Sequence, residues 1–416
     1  MIFVFLAYWA KVLDQSATSA AYVSGMKEDL KLFGNELNYL NTTYMVGFIT
    51  LQIPLTLLMT RFSASYFIPA ADLIWGVLTL AQYKVTSVQQ LYVIRFFIGA
   101  AGSLFFPAVQ WYLGCWYKRS ELSRRGALFF IASQVGSMSS GYIQSGAYAS
   151  LSRGGDGSTS SVSFSCTIPV AILGFLTLPG QPDKPKSCFL TPREIQVAQE
   201  RMAAENREPR KPLTFSVVKS VLVGWHFWIL VSFAFFFSQA DGVSSNSGLA
   251  LWLKEEGYSV ESINTITTVS PAVTIASSIV CGILSDAYDA KVSLIAVTAG
   301  LNIFASIILA IWNVPTGLKF FAFFLSGTAD GIAAVIYAWA NEICASNAEE
   351  RAIVISSMNT IGNAFGAWLP LFVWKTVDAP RYLIGYNWTI ALDVCMLIML
   401  FVLRAFWNRE KTNLRT

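Results

Sequence analysis

Gly282-Ile283-Leu284-Ser285-Asp286-Ala287-Tyr288-Asp289-Ala290-Lys291 is a polar turn joining two apolar runs, 262–284 and 292–312. Each run is long enough to cross a bilayer, whose ~30 Å hydrocarbon core takes about 20 helical residues at 1.5 Å each. Within the turn, Gly282 leaves space for a second helix to approach. Asp286 can accept from the free backbone N–H groups at a neighbouring helix start, and Lys291 can close the loop by charge attraction. An ordinary polar turn between two spans would carry similar residues, so the meaning of this one depends on what surrounds it.

Outward from the turn, further apolar runs cover 2–24, 38–60, 66–84, 88–113, 126–149, 162–179, 224–252, 317–340, 351–374 and 383–407. The composition agrees: 54% of the 416 residues are apolar or aromatic and only 13% are charged, against the ~25% of a soluble domain. The mean hydropathy is +0.52. These values exclude an ordinary soluble enzyme and make the lipid bilayer the chain's main partner. The longest polar segment follows the sixth run and splits the chain into two sets of six. The reading is an all-α membrane protein of twelve transmembrane helices in two six-helix bundles. The bundles are 1–180 and 224–416, the second ending in a short tail, and they are joined by a linker over 181–223. The sixth helix is short and atypical, with the Ser-rich entry Ser158-Thr159-Ser160-Ser161. In the linker, Thr191-Pro192-Arg193-Glu194 has the form of a helix start, with Thr191 as N-cap, Pro192 first and an acid early.

Lys and Arg set the orientation. With Met1 cytosolic, nineteen of the 29 basic residues fall on the cytosolic side, eight of them in the linker, and eight fall outside. Lys11 and Arg95 lie within spans. Both termini and the linker are therefore expected in the cytosol. The first span has no basic lead and no small-residue cleavage site, so it reads as a retained helix. His226 is the sole histidine, and the six cysteines form no CxxC pair, which removes zinc, haem and His-box chemistry as sequence expectations. No metal and no cofactor is expected. A formal net charge of +4 gives no reason to expect nucleic acid.

A charged side chain at mid-bilayer costs roughly 2.5–3.5 kcal/mol on insertion scales, so ionisable residues inside spans are functional candidates. The first, fourth, seventh and tenth spans carry Lys11 with Asp14, Arg95, Asp241 and Asp330. In a bundle of four three-helix repeats these are the equivalent, repeat-opening helices, as a polar cavity at a repeat interface would require. Structural readings stand beside this one. Lys11 and Asp14, three apart on one face, can pair with each other, and Arg95 can snorkel toward the near surface. Asp72 and Asp393, on helices expected at the periphery, read better as members of structural pairs. Gln15, Gln239, Asn246, Asn359 and Asn363 add uncharged polarity inside spans, where each can also be a helix-to-helix hydrogen bond. Gly99, Gly102, Gly136 and Gly141 allow close helix approach, and Pro107, Pro271 and Pro370 allow kinks.

The turn quoted first, G-x-L-S-D-x-x-x-x-K, resembles the cytosolic loop signature of the major facilitator superfamily at its position in the second half. The corresponding loop after the second span, Met59 to Ser65, keeps one basic residue, Arg61. Further stretches are similar to the fungal anion:cation symporter (allantoate permease) family, and within it to the pantothenate permease branch. They are Asp14-Gln15-Ser16, Ala21 to Leu30, Gly34 to Tyr39, Gln52 to Thr56, Gln90 to Gly99, Trp116-Tyr117-Lys118 and Trp339-Ala340-Asn341-Glu342 with Arg351. Gly102 stands where that family usually has a glutamate.

The resemblance implies a monomeric secondary transporter of the plasma membrane that takes up a small carboxylate with protons. An inside-negative potential opposes a lone anion by about 2.3 kcal/mol per 100 mV, which one proton cancels and a second reverses. In that reading Arg95, with Gln239, Asn246, Asn359 and Asn363, binds the substrate. Asp14, Asp241 and Asp330 handle protons, and Gly282, Asp286 and Lys291 form a gating motif. Export of an acidic or hydrophobic secondary metabolite, or a sensor that no longer transports, are the alternatives.

Overall fold

The computed structural model describes residues 1–21, 36–59, 61–82, 85, 87–151, 158–181, 190–203, 215–245, 248–345, 347–375 and 378–413. Two compact units result, one of residues 1–118 with 131–209 and one of residues 119–130 with 210–416.

The first unit holds α1 (Ile2–Ala21), α2 (Glu36–Met59), α3 (Ala64–Ala81), α4 (Val88–Ser103) and α5 (Phe105–Trp116). Helix α6 (Arg119–Leu151) follows, contributing Arg119–Phe130 to the second unit and the rest to the first. Next come α7 (Ser158–Thr177) and the linker helix α8 (Pro192–Ala203). The second unit continues with α9 (Phe215–Val223), α10 (Trp225–Ala240), α11 (Gly242–Ser245), α12 (Gly248–Glu255), α13 (Val260–Thr267), α14 (Val269–Tyr288), α15 (Lys291–Ile311) and α16 (Thr316–Ser326). A 3-10 turn, Asp330–Ile332, leads into α17 (Ala333–Ile343), then α18 (Ala348–Gly366), α19 (Pro370–Val373) and α20 (Leu383–Asn413). Among the described residues, most of each apolar run falls on helix. Among the described residues seven helical segments are long and apolar enough to cross a membrane. Their outward side chains, such as Ile74, Val77, Val297, Ile398 and Phe401, are apolar and exposed, as lipid-facing positions are.

Local chemistry fixes several starts. Asn347 caps α18, its side-chain oxygen accepting from the Glu349 and Glu350 N–H groups at 3.0 and 3.1 Å, and both acids favour the positive helix end. At α8, the Thr191 N–H and hydroxyl donate to the Glu194 carboxylate, each at 2.8 Å, while the Glu194 N–H returns to the Thr191 hydroxyl at 3.4 Å. Those bonds hold the Glu194 carboxyl below the ordinary glutamate range. A depressed folded-state pKa gives stability that is full once the carboxyl is ionised in both states and is lost as pH falls through the folded value. The first turn of α8 should therefore exchange its amide hydrogens faster in acid than at neutral pH, after correction for intrinsic rates. Glu194→Gln should erase the difference.

Spans four, seven, eight, ten and eleven, all expected to be continuous, are interrupted among the described residues, and the breaks in spans four, seven and ten have clear local causes. Span four parts at Leu104, because Pro107 has no N–H to give the Ser103 carbonyl. Span seven parts at Asp241, where Gly242 meets the Trp374 indole so closely that a Cβ would lie 2.7 Å from it. Span ten parts over 327–332. There Gly327 and Gly331 press on span eight, and a Cβ would lie 2.7 Å from the Ser270 carbonyl oxygen and 2.4 Å from the Ser277 hydroxyl. Neighbours satisfy backbone groups that the breaks free, as a membrane interior demands. Asn302 donates to the Ala240 carbonyl at 3.1 Å, Thr274 to that of Gly327 at 2.7 Å and Ser277 to that of Thr328 at 3.2 Å.

A polar junction and a clamped turn as the candidate functional site

In the first unit α2 and α4 approach backbone to backbone. A Cβ on Gly47 would stand 2.2 Å from the Phe96 carbonyl oxygen, and one on Gly99 2.1 Å from that of Tyr44. This pairing brings Tyr44 and Arg95 within electrostatic reach of each other. Arg95 is buried rather than snorkelled, and its Nε finds no hydrogen-bond partner among the described residues. The Tyr44 hydroxyl accepts from Gln15 at 2.8 Å, and its ring meets Trp75 edge-on with centroids 6.3 Å apart.

Trp75 leads to Asp14. The indole N–H donates to Asp14 Oδ2 at 3.0 Å and the Thr167 hydroxyl to the same oxygen at 2.6 Å, while Oδ1 has no partner among the described residues. The first, third and sixth spans thus meet at one buried carboxylate. Lys11 does not pair with Asp14, despite their shared helix face. Its ammonium turns to Asp72 at 2.9 Å and lies over the rings of Trp75 and Phe105, at 4.3 and 4.9 Å from their centroids. Burial explains the choice: two anions and one cation compete in a dry space, and among the described residues Asp72 has no other hydrogen-bond donor there, whereas Asp14 has two.

The second unit repeats this junction with its acid relocated. Its seventh, ninth and twelfth spans, which correspond to one, three and six, meet where Asn302 donates to both the Ala240 carbonyl and Asp393 Oδ2, the latter at 2.8 Å. The buried carboxylate sits on the twelfth span rather than on the repeat-opening one. Asp393 is paired with the Asn302 amide and with no cation among the described residues, whereas Asp72 is paired with the Lys11 ammonium. Asp241 terminates α10 and Asp330 opens the 3-10 turn. Both are half-buried and both hold interactions of their own. Gln239 donates to the Gly362 carbonyl at 3.0 Å, tying span seven to span eleven. Asn363 donates to the Asn359 carbonyl at 2.8 Å, and the Asn359 side-chain amide nitrogen has no partner among the described residues. Asn246 lies outside the described residues.

The Gly282–Lys291 turn is clamped at several points. Asp286 accepts from the Ser123 and Arg124 N–H groups at 3.2 and 2.9 Å, with the Arg124 guanidinium at 3.6 Å. Gly282 lies against the same stretch of α6, where a Cβ would be 3.1 Å from that of Ala127. Lys291 pairs with Asp289 and, at 3.1 Å, with Glu342, which Lys411 also approaches at 3.9 Å. A glycine contact, a carboxylate on backbone N–H groups and a closing lysine thus stand together at this turn, within the second unit of a chain whose apolar helices include seven able to cross a membrane among the described residues. The model of the Major Facilitator Superfamily matches residues 4–370 and 231–416. The chain belongs to the major facilitator superfamily.

Its relatives in the superfamily include Pantothenate transporter liz1 of Schizosaccharomyces pombe, 33% identical over 91% of this chain and 75% of that protein. Pantothenate transporter FEN2 of Saccharomyces cerevisiae is 32% identical over 99% of this chain and 83% of its own length. The superfamily fold is also evident in the human organic anion transporter MFSD10 (TETRAN), with a TM-score of 0.70 at 11% identity, covering 96% of this chain and 98% of that one. The chain is an integral, multi-pass membrane transporter for a small molecule, not an enzyme. Tyr44, Trp75, Thr167 and Asn302 were not singled out by sequence, where each reads as an ordinary span residue.

Proposed function

We propose that the chain imports a small monocarboxylate of the pantothenate type together with protons, working as a monomer in the plasma membrane with both termini cytosolic. The observation that carries this reading is the pairing, within one unit, of a buried guanidinium with an unpartnered Nε and a buried carboxyl with an unpartnered Oδ1. Arg95 suits a carboxylate because guanidinium offers planar, bidentate donation. Asp14 supplies the proton position. Gln239, Asn359 and Asn363 line the route in the second half, with Asp241 and Asp330 as further proton groups at the helix breaks. Gly282, Asp286 and Lys291 serve as the gate. The names of the two yeast relatives support the substrate class.

The test is rescue of cells that lack their own pantothenate uptake at limiting pantothenate, followed by uptake of labelled pantothenate with nicotinate, biotin and allantoate as competitors. Accumulation that rises with external acidity is expected, whereas no uptake, or efflux from preloaded cells, overturns the reading. Arg95→Gln should raise KM by about ten- to hundredfold, the value of roughly 1.5–3 kcal/mol for a hydrogen bond to a charged group. Arg95→Lys should recover only part of it.

A further inference from the structure

The sole histidine, set aside by sequence for want of clustered ligands, is surrounded in the fold. His226, in the first turn of α10, has its Nδ1 2.6 Å from Glu350 Oε1 and its Nε2 3.0 Å from Glu410 Oε2. Cys344, fully buried just after α17, completes the group: an imidazole nitrogen, the Cys344 sulfur and a Glu350 carboxylate oxygen all lie within 4.8 Å of one another. Trp225 lies beside it, its ring centroid 4.2 Å from that of His226, and meets the Phe406 ring at a tilt with centroids 5.4 Å apart. Four helix ends, those of α10, α17, α18 and α20, converge here within the second unit.

We propose that His226, Cys344 and Glu350 form a binding site for a divalent transition metal, with zinc the best-matched ion and Glu410 orienting the imidazole.

The donor set decides the class of ion. One nitrogen, one sulfur and one carboxylate oxygen suit zinc, whereas calcium and magnesium take oxygen alone. Three protein ligands leave a fourth position for water. Zinc bonds of about 2.0–2.3 Å place tetrahedral ligands about 3.3–3.8 Å apart. The three ligand atoms already lie within 4.8 Å of one another, about an ångström more than that spacing requires. The second imidazole nitrogen faces Glu410, and a carboxylate behind a ligating histidine is the usual outer partner that fixes its tautomer. Charge also favours a cation: Glu350 and Glu410 face the site, and Arg351 is the cation in electrostatic reach of Cys344. Binding releases the Cys344 thiol proton and any proton on the ligating nitrogen, leaving thiolate and neutral imidazole on the metal. A bound ion would fasten the start of span seven to the turn between spans ten and eleven and to the C-terminal helix.

The experiment uses the full chain, purified in detergent and stripped with chelator. Cobalt titration of the wild type should give a thiolate-to-metal charge-transfer absorption that saturates at one ion per chain and is displaced by zinc. Its absence overturns the proposal without recourse to any variant. Cys344→Ser should abolish that absorption, and His226→Gln should weaken zinc retention at least tenfold. Glu410→Gln, which leaves the ligands intact, should weaken it about ten- to hundredfold. Equal zinc retention by wild type, Cys344→Ser and His226→Gln means binding elsewhere and rejects the site. Saturation by protons alone, with no stoichiometric metal, makes the cluster an imidazolium held between two carboxylates and rejects it as well.

Discussion

On the proposed function, Asp14→Asn is expected to abolish acid-driven accumulation while leaving exchange of substrate across the membrane in place. The substitution keeps the size and shape of the side chain, and the amide oxygen can still accept from the Trp75 N–H and the Thr167 hydroxyl, so the junction of spans one, three and six stays assembled. What disappears is the place for a proton. Both donors occupy Oδ2, which leaves Oδ1 to take and release a proton with no protein hydrogen bond to break among the described residues. Lys11 does not compete for that oxygen at contact distance, because Asp72 holds its ammonium. One coupled proton contributes about tenfold to accumulation for each pH unit of gradient, since a pH unit is worth about 1.36 kcal/mol. The Asn variant should lose that tenfold per unit and show uptake indifferent to external pH, while counterflow of labelled against unlabelled substrate persists through Arg95. Acid-driven accumulation in Asp14→Asn that matches wild type would remove Asp14 from the coupling role. Loss of counterflow as well would show that the residue holds the structure instead.

How much of this was legible in the chain differs by kind of feature. The apolar runs, the polar turn at 282–291 and the capping residues at Thr191 depend on local composition, and sequence reads those directly. The position of Asp286 on backbone N–H groups followed from the type of residue and its place in the turn, although Ser123 and Arg124 as donors did not. Side-chain partners inside the bundle depend on which helices meet, which a single sequence does not contain. Lys11 has Asp14 on its own helix face and chooses Asp72 on another helix. His226 and Cys344 are over a hundred residues apart and share one cluster. The breaks at Asp241 and at 327–332 carry no proline. They depend instead on glycines pressed against Trp374, Ser270 and Ser277, contacts that exist only once the neighbouring helices are in place.

Gly102, where the resemblance read from the sequence implies a glutamate, makes the second large prediction. A Cβ there would lie 2.1 Å from Trp75 Cζ3 and 2.6 Å from Cε3. The indole has nowhere simple to go: its N–H is bonded to Asp14, its edge meets Tyr44, and the Lys11 ammonium covers its face. Gly102→Ala must therefore displace Trp75, and overpacking of this sort costs about 1–3 kcal/mol. Gly102→Glu adds a carboxylate to a buried space whose one ammonium is already committed to Asp72, so its cost is larger still. Thermal unfolding in detergent should fall stepwise from wild type to Gly102→Ala to Gly102→Glu, and uptake by Gly102→Glu should be lost. Trp75→Ala opens the space, so the double substitution Gly102→Glu with Trp75→Ala should unfold at a higher temperature than the sum of the two single effects. The interaction energy expected for residues in direct contact is about 0.5–3 kcal/mol. If Gly102→Glu folds and transports as wild type, Trp75 is free to move and cannot be what holds Asp14. If the two substitutions are additive, the glycine and the indole are independent. Either result would separate position 102 from the indole, whereas coupling would mean that the glycine on span four gives the span-three indole the room it needs to hold Asp14.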